Sequence, residues 1–347
     1  MGQTDGAPRP RPVRSRSTIK DVAETAGVSR STASRAVTGR GYVAEPVRLR
    51  VQAAAIELGY VPDATAQHLK AQTSRSVGVL VSDLRNAFYA DLAAGASSAA
   101  RSAGYTVMLA DLGNRSADEV EAVEAFVALR VAGVVVTPLS ADMSGYLERH
   151  GIPVVEVDRQ FAPATCDAVV VDNSRAARAM TEHLLDLGHR RIALFIDETD
   201  WTTGRDRVAG YRDALTAHGL EVDPALVVSS GWDVAGAQGA AHDLLARPDR
   251  PSAVFAANNV LAEGAWRAAR DLSLRIPEDL SLVSFDDAPW MSMVTPGLTA
   301  VAQDAVALGE AAIGLLVDRF AHPEAEPQTL VLPALLLERA STAPPAG

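Results

Sequence analysis

Residues 21–37, DVAETAGVSRSTASRAV, contain a dense group of side chains that can donate hydrogen bonds to an anion. From Ser29 to Arg35 the stretch holds hydroxyl and guanidinium groups and no carboxylate, although the whole chain has a net charge of −11. Guanidinium forks and hydroxyl donors match phosphate oxygens and the acceptor edges of base pairs. The chemistry that this stretch predicts is therefore hydrogen bonding to a nucleic acid.

Two short helices are needed to position these side chains. Thr18 and Asp21 have the spacing of a capping box, Gly27 can take the positive φ of a tight turn, and Ser29 can cap the second helix. A third helix follows Pro46. The apolar positions expected to face the common core are Ile19, Val22, Ala23, Ala26, Ala33, Ala36, Val37, Val47, Val51, Ala54 and Leu58. This pattern predicts a helix-turn-helix closed by a third helix.

Charge is divided unevenly along the 347 residues. Residues 1–70 carry eleven basic and six acidic side chains, whereas the rest of the chain carries 21 basic and 37 acidic ones. A basic head on an acidic body indicates that one end meets a polyanion. No apolar run is long enough to span a membrane, the N-terminus has no secretory pattern, and Cys166 is the single cysteine. We therefore expect a cytoplasmic protein with no membrane partner.

The sequence from Thr18 to Lys70, TIKDVAETAGVSRSTASRAVTGRGYVAEPVRLRVQAAAIELGYVPDATAQHLK, resembles the N-terminal region of the LacI/GalR (lac-repressor) family of bacterial transcription regulators. The resemblance continues nearly to the C-terminus. It implies that Arg30, Ser31 and Arg35 read bases, and that the phosphate contacts are made by Thr18, Ser29, Thr32 and Ser34. Two positions depart from the family pattern, because Ala44 replaces a small hydroxyl residue and Val47 replaces a common threonine.

Residues 63–70, DATAQHLK, occupy the place of the family's hinge. The resemblance implies a helix that orders on DNA and enters the minor groove, with contacts from Ala66, Leu69 and Lys70. A leucine inserted between base pairs unstacks them and bends the duplex. Asp63 and Gln67 stand where the family has Asn and Arg. The alternative is a plain linker in which Leu69 contacts the body.

Short β-branched runs alternate with helical segments from Val77 onward. The candidate strands are SVGVLVSD, YTVMLAD, AGVVVTP, IPVVEVD, AVVVDN, RRIALFID, ALVVSS, SAVFAAN and LSLVSFDD. Such alternation predicts parallel sheets covered by helices, with ligands at the carboxyl ends of the strands. Several runs end in a polar residue there, namely Asp83, Thr137, Asp158, Asn258 and Asp286. The sequence thus predicts a polar cleft.

The resemblance implies that the body is a two-lobed, type I periplasmic-binding-protein-like effector domain, with chain crossings near residues 160, 300 and 330. We expect a basic flexible arm at 1–17, the helix-turn-helix headpiece at 18–62, a hinge at 63–74 and an effector-binding and dimerisation domain at 75–347. Within that domain the N-lobe is expected at 75–160 plus 301–330, and the C-lobe at 161–300 plus 331–340.

By the same resemblance the effector contacts are Phe88, Tyr89, Thr137, Asp158, Arg207, Trp232, Asn258, Asp286 and Gln303. Arg207 and Asp286 suit vicinal hydroxyls and an indole suits a pyranose face, which favours a sugar or sugar derivative. A nucleobase or another small co-repressor is the alternative. Asp83 is either a strand-end cap or a contact, and Trp201 and Trp290 near the cleft mouth either touch ligand or pack. Asn259 replaces the family's usual Asp.

Other classes of protein fit less well. The chain lacks GxGxxG after its first body strand, GxxxxGK[ST] and GxSxG, so we expect no catalytic residues and no cofactor. His183 and His189 have no third ligand nearby, so no metal site is expected. A transport receptor does not need the basic head, and a nucleoid protein does not need a polar cleft.

The resemblance implies a ligand-responsive regulator, a repressor of carbohydrate uptake or catabolism genes, that binds a palindromic operator. The leucine heptads through which the lac repressor forms tetramers are missing here, where the sequence ends in LERASTAPPAG, so the resemblance implies a homodimer. The identity of the effector, its direction of action, the operator, the target genes and any higher oligomer stay open.

Overall fold

The structure is a computed structural model, and it describes residues 17–39, 41–61, 74–161, 165–196 and 201–346. The chain divides into two compact units, Met1–Thr73 and Ser74–Gly347, which we call the head and the body. Among the described residues, no helix is long and apolar enough to cross a membrane.

Three helices form the head: α1 (Ile19–Thr25), α2 (Arg30–Thr38) and α3 (Glu45–Glu57). Thr18 and Asp21 make the reciprocal bonds of a capping box at the start of α1, and Ser29 caps α2 by accepting from the Thr32 amide. Gly27 turns the chain between α1 and α2 with a φ of 62°. The helix-turn-helix and its caps are confirmed.

The head has its own small core. Val22, Ala33 and Val51, one from each helix, are completely buried, and Ala23, Ala36, Val43 and Ala54 are nearly so. Alanines on the facing sides of α1 and α2 let the two helices approach closely, so the short α2 is held by packing rather than by its own length. The opposite face of α2 stays in solvent.

Two six-stranded sheets form the body. The N-lobe sheet has the order β2-β1-β3-β4-β5-β11 and is entirely parallel, with strands β1 (Ser76–Val81), β2 (Thr106–Asp111), β3 (Val134–Val136), β4 (Val154–Val157), β5 (Asp167–Val171) and β11 (Thr329–Leu332). Its central strands are almost wholly valine and buried on both faces, as parallel strands covered by helices should be.

The C-lobe sheet has the order β7-β6-β8-β9-β10-β12, and it is parallel except where β12 runs against β10. Its strands are β6 (Ile192–Phe195), β7 (Val227–Val228), β8 (Ala253–Ala256), β9 (Ser281–Phe285), β10 (Thr299–Gln303) and β12 (Ala334–Leu337). The two sheets therefore repeat one topology, in which β4 corresponds to β9 and β5 to β10. The two-lobed fold with parallel sheets is confirmed.

Helices cover both sheets. The N-lobe carries α4 (Ala87–Ser102), α5 (Glu119–Ala128), α6 (Asp142–Arg149) and α12 (Ala305–Ala321). The C-lobe carries α7 (Asn173–Asp186), α8 (Thr202–Ala217), α9 (Val234–Leu245), α10 (Asn259–Asp271) and α11 (Pro289–Met293). One buried apolar cluster contains side chains of both lobes, and a smaller cluster lies within each.

The expected lobe boundaries near residues 160 and 300 need correction. β5 still pairs with β4, so the first crossing lies after Val171, and α7 already packs on the C-lobe. β10 still pairs with β9, so the second crossing lies after Gln303, and α12 packs on α4 of the N-lobe. The third lies between Leu332 and Ala334, because β11 and β12 belong to different sheets. Each sheet keeps its fifth strand before the chain leaves the lobe.

Candidate functional site

The exposed face of α2 carries the residues predicted to contact DNA. Arg30, Ser31 and Arg35 are exposed, and α2 has no acid in its first turn. The Ser29 hydroxyl lies 2.9 Å from that of Ser31 and 2.8 Å from that of Thr32, and it accepts from the Thr32 amide at 3.1 Å. Arg35 donates from Nε to the Ser31 carbonyl at 3.3 Å. These contacts hold hydroxyls and a guanidinium on one solvent-facing surface.

Thr18 and Ser34, the other residues predicted to contact phosphates, flank this face. Ala44, which departs from the family pattern, lies at the start of α3. Thr18 hydrogen-bonds to Asp21 through both its amide and its hydroxyl, which lowers the pKa of Asp21 and keeps a carboxylate at the start of α1. Ser34 is half-buried and accepts at its carbonyl from Thr38. Ala44 caps α3 without a side-chain hydrogen bond, so no hydroxyl is presented there.

The hinge residues Ala66, Leu69 and Lys70, with Asp63 and Gln67, lie outside the described residues, as does the arm before Ser17. Their roles stay predictions.

In the body, seven of the nine predicted effector contacts line one cleft between the lobes. They are Phe88, Tyr89, Asp158, Arg207, Trp232, Asn258 and Asp286. The cleft lies at the carboxyl ends of both sheets and encloses about 60 Å³. Phe88 and Tyr89 begin α4, Asn258 caps α10, and the two acids directly follow β4 and β9.

Asp158 and Asp286 share an unusual backbone. Their φ angles are 72° and 68°, in the left-handed region that few residues other than glycine, asparagine and aspartate enter. They stand at equivalent positions of the two repeated sheets, and both are more than nine-tenths buried. The same local geometry thus turns one carboxylate from each lobe into the cleft.

The partners of these acids differ. Tyr89 donates from its hydroxyl to Asp158 at 3.1 Å, and the Arg159 Nε lies 3.4 Å from the same carboxylate. Gln303 donates from Nε2 to Asp286. Burial raises the pKa of Asp286 to about 6, although Arg207 and the Gln303 bond act in the opposite direction.

Arg207 lines the cleft and also ties the C-lobe together. Its Nε donates to Asn173 at 2.8 Å and its Nη1 to the carbonyl of Ala257, while its guanidinium lies 3.6 Å from the centre of the Phe285 ring. Burial lowers the pKa of Arg207. The side chain therefore joins the start of α7 to the end of β8 at the wall of the cleft.

Two predicted contacts do not line this cleft. Thr137 is completely buried, and its hydroxyl lies 2.9 Å from that of Ser82 and 3.4 Å from the carbonyl of Leu80. It lies behind the cleft wall because the side chain after β3 points into the N-lobe. Gln303 acts through Asp286 and lines an adjacent cavity of about 280 Å³.

Sequence reasoning missed Arg159 and left the tryptophans open. Arg159 is 2% exposed, donates from Nη2 to Ser82 at 2.8 Å and to Tyr89, and lies 4.4 Å from the centre of the Trp201 ring. Its place directly after Asp158 at a strand end was the available signal. Trp201 lines the cleft beside Trp232, whereas Trp290 packs against Trp266.

The remaining open residues have structural partners. Asp83 binds Arg85 through both carboxylate oxygens, which holds its pKa below the usual value, and it does not line the cleft. His189 is buried between Ser252, Ser281 and the carbonyl of Ala343, and His183 lies 3.1 Å from the Thr342 hydroxyl. In the part of the chain that the structure describes, no three His, Cys, Asp or Glu residues are placed to hold a metal ion.

A helix-turn-helix head with a basic face, followed by a two-lobed body with a polar cleft, defines the class of ligand-responsive DNA-binding transcription regulators. Residues 18–63 match the LacI family of bacterial regulatory proteins, and residues 181–342 match the periplasmic binding protein-like domain. The chain belongs to the LacI family, and proteins of this kind are repressors rather than enzymes.

Relatives support this over most of the chain. The ribose operon repressor of Escherichia coli K12 is 34% identical over 93% of this chain and 99% of its own length. The repressor PurR of Escherichia coli ATCC 8739 is 33% identical over 94% of this chain and 97% of its own. The lac repressor dimer bound to operator and an anti-inducer has a TM-score of 0.84 at 29% identity, covering 94% of this chain and 99% of that one.

Proposed function

We propose that this repressor binds a sugar of monosaccharide size in the cleft between its lobes and that the bound sugar changes its affinity for an operator. The observation that carries the proposal is the pair Asp158 and Asp286, one carboxylate from each lobe, held in a strained backbone and directed into one cleft. Strain of this kind persists mainly where function needs it. Carboxylates accept from hydroxyl groups, so a polyhydroxylated ligand could bridge the lobes.

The other lining groups suit the same ligand. Arg207 and Asn258 offer donors beside the acids, while Trp232 and Phe88 offer apolar ring faces to the C–H side of a sugar. Tyr89 fixes Asp158, and Gln303 fixes Asp286. We do not include Thr137 among the contacts. A relative named ribose operon repressor, and a solved CelR–cellobiose complex that is 32% identical with a TM-score of 0.72, also favour a sugar.

On the DNA side, we propose that two copies place α2 in successive major grooves of a palindrome in the cytoplasm. Arg30, Ser31 and Arg35 would contact base edges, and the phosphate contacts would come from Thr18, Ser29, Thr32 and Ser34. The hinge residues Ala66, Leu69 and Lys70 would enter the minor groove at the centre of the site. The exposed, acid-free face of α2 supports the major-groove part of this assignment.

A nucleobase is the second candidate effector. The ring centres of Trp201 and Trp232 lie 5.2 Å apart, and Phe88 lines the same cleft. The site therefore offers flat apolar ring surfaces on which a planar base could stack. The similarity to PurR favours the same alternative.

Calorimetry of the full chain with D-ribose, cellobiose and the purine bases separates the candidates. Saturable binding of ribose, weakened by Asp286→Asn, is the expected result. Binding of a purine base and of no sugar would support the second candidate. If a sugar binds equally well to wild type and to Asp286→Asn, or if no member of the panel binds, the proposed site and ligand class are wrong.

A further inference from the structure

Among the residues that the structure describes, hydrogen bonds bridge the cleft at two places apart from the three chain crossings. At one side, the Gln160 amide donates to the Thr202 hydroxyl at 2.9 Å, and the Thr202 amide donates to the Gln160 carbonyl at 3.0 Å. At the other side, Asn259 donates from Nδ2 to Oδ1 of Asn86 at 2.8 Å. We call the second contact the amide latch. It joins the start of α4 in the N-lobe to the start of α10 in the C-lobe.

The polarity of the amide latch is fixed by the N-lobe. Asn86 is the cap of α4, and its Oδ1 accepts from the Phe88 amide at 3.1 Å. An amide nitrogen cannot take that role, because it carries hydrogens and accepts no hydrogen bond. Asn86 therefore also presents its oxygen to the other lobe, and the residue at 259 must be a donor.

Asn259 is suited to this contact and to no capping role. Its neighbour Asn258 already caps α10 by accepting from the Leu261 amide at 2.8 Å. Asn259 is 6% exposed although it begins a helix at the edge of the cleft. An aspartate, the residue that the family pattern favours at 259, would set a carboxylate against Oδ1 of Asn86 with no proton between the two oxygens. Asn259 in place of the family's aspartate thus supplies the donor that Oδ1 of Asn86 needs.

The latched cleft is too small for the proposed ligand. It encloses about 60 Å³, whereas sites for small organic ligands typically enclose roughly 300–1,000 Å³. A cleft that holds a ligand of that size needs the lobes further apart, and their separation breaks the Asn259–Asn86 bond.

We propose that the amide latch holds the lobes closed in the effector-free protein and that Asn259 is the positioning residue that sets the lobe angle. The latch controls the opening of the cleft in which the proposed function places the effector. This inference rests on the proposed function in one respect, namely that the lobe angle affects operator binding. Effector binding then exchanges the Asn259–Asn86 bond for contacts from ligand to each lobe.

Two variants of equal charge test this polarity. Asn259→Asp puts two acceptors face to face, which breaks the latch. Asn86→Asp keeps an acceptor that still caps α4 and receives the Asn259 donor, so the latch stays or strengthens. Both variants add one negative charge near a helix N-terminus, where the helix dipole tolerates it. Neither is therefore expected to unfold its helix, and thermal unfolding of both checks this point.

Electron spin distances across the cleft provide the readout. Ser98 on α4 and Ala235 on α9 are exposed and lie in different lobes, so cysteines there can carry spin labels. The only native cysteine, Cys166, is buried, and labelling of the parent chain checks that it stays unmodified. Dilution into excess unlabelled chain keeps the measured pairs within one protomer.

Without effector, wild type and Asn86→Asp should share one short interlobe distance. Asn259→Asp, and the double variant at least as strongly, should shift the distribution to longer distances, with a change in the open-to-closed ratio of about tenfold. A short distance in Asn259→Asp, or an equal shift in Asn86→Asp, overturns the proposal. Because no ligand is present, an error in the assigned effector leaves this result unaffected, and only the binding panel reveals that error.

Discussion

Single residues at strand ends carry most of the proposed chemistry of the body. Asp158 and Asp286 hold a left-handed backbone that costs an ordinary L-residue about 1–2 kcal/mol. Both side chains are also buried, which adds the cost of removing a carboxylate from water. Two costs at two equivalent positions indicate that the cleft is organised for a ligand rather than for stability.

The buried Asp286 should make unfolding depend on pH. Its pKa is raised from 3.8 to about 6, so between these values the folded chain binds more protons than the unfolded chain and loses stability as pH rises. A shift of this size corresponds to about 3 kcal/mol. Asn can take the same φ and still accept from Gln303. We therefore expect the free energy of unfolding in urea to rise for Asp286→Asn relative to wild type, by about 1–3 kcal/mol as pH goes from 4 to 7.

A constant difference between the two proteins across this range would mean that Asp286 titrates normally in the folded chain. Ribose affinity, if ribose is the effector, should rise over the same interval as the carboxylate forms.

Arg30 is fully available to read a base, because it is exposed at the start of α2 with no acid in that turn. Arg30→Ala should weaken binding to the preferred operator by roughly 1–3 kcal/mol and relax the preference at one base pair. Operators selected in vitro with the wild-type chain provide the substrate, and binding is measured over a range of salt concentrations.

Arg30→Lys is the matched control. It keeps the charge but loses the guanidinium fork, so the salt dependence should stay while the base preference falls. If Arg30→Ala weakens selected and random DNA equally, and Arg30→Lys binds like wild type, the side chain contacts only phosphate.

At the scale of elements, α4 and α12 hold the N-lobe together by a close approach. A Cβ added at Gly309 of α12 would lie 2.1 Å from the carbonyl oxygen of Leu92, and one at Gly95 of α4 would lie 2.1 Å from that of Val306. α12 is the helix that returns the chain from the C-lobe, and α4 brings Asn86, Phe88 and Tyr89 to the cleft. Their backbone contact therefore fixes the N-lobe wall of the site.

Two glycines of α12 should respond in opposite directions. Gly309→Ala forces a methyl group into backbone and should destabilise the body by about 1–3 kcal/mol or more. A Cβ at Gly314 meets nothing within 4 Å, so Gly314→Ala should stabilise the helix by up to about 1 kcal/mol. Urea unfolding of the two variants beside wild type measures both. Equal effects would contradict the close approach of α4 and α12.

The sequence predicts where strands occur better than it predicts which strands pair with one another. Runs such as SVGVLVSD and LSLVSFDD predicted β1 and β9 because valine-rich segments bounded by polar residues suit buried parallel strands. The sequence does not reveal which sheet a strand joins, so the expected boundaries put β5 in the wrong lobe and cut through β10. Thr137 follows a strand as Asp158 does, but the direction of each side chain depends on the local backbone, which no spacing discloses. Arg159 was missed for the same reason.

For the whole molecule, a head and a body with separate cores are joined by residues 62–73, which lie outside the described residues. We expect ligand in the cleft to influence DNA binding through the lobe angle and this segment. Coupling between two such sites is a free energy, typically about 1–3 kcal/mol, and it acts equally in both directions.

Reciprocity gives the last prediction. If ribose changes operator affinity by a factor in the range of about 5–150, operator DNA must change ribose affinity by the same factor. Calorimetry with and without operator, beside operator titrations with and without ribose, measures both factors on one preparation. Asp286→Asn should raise the ribose concentration at half-response while saturating ribose restores the wild-type plateau, because weaker binding moves the midpoint and leaves the coupling intact. Asp286→Asn suits this purpose better than a change at Arg207, whose loss would remove the donor to Oδ1 of the buried Asn173 and to the Ala257 carbonyl. Unequal factors, or a plateau that falls in Asp286→Asn, would show that ribose acts at a place other than this cleft or that Asp286 itself transmits the signal.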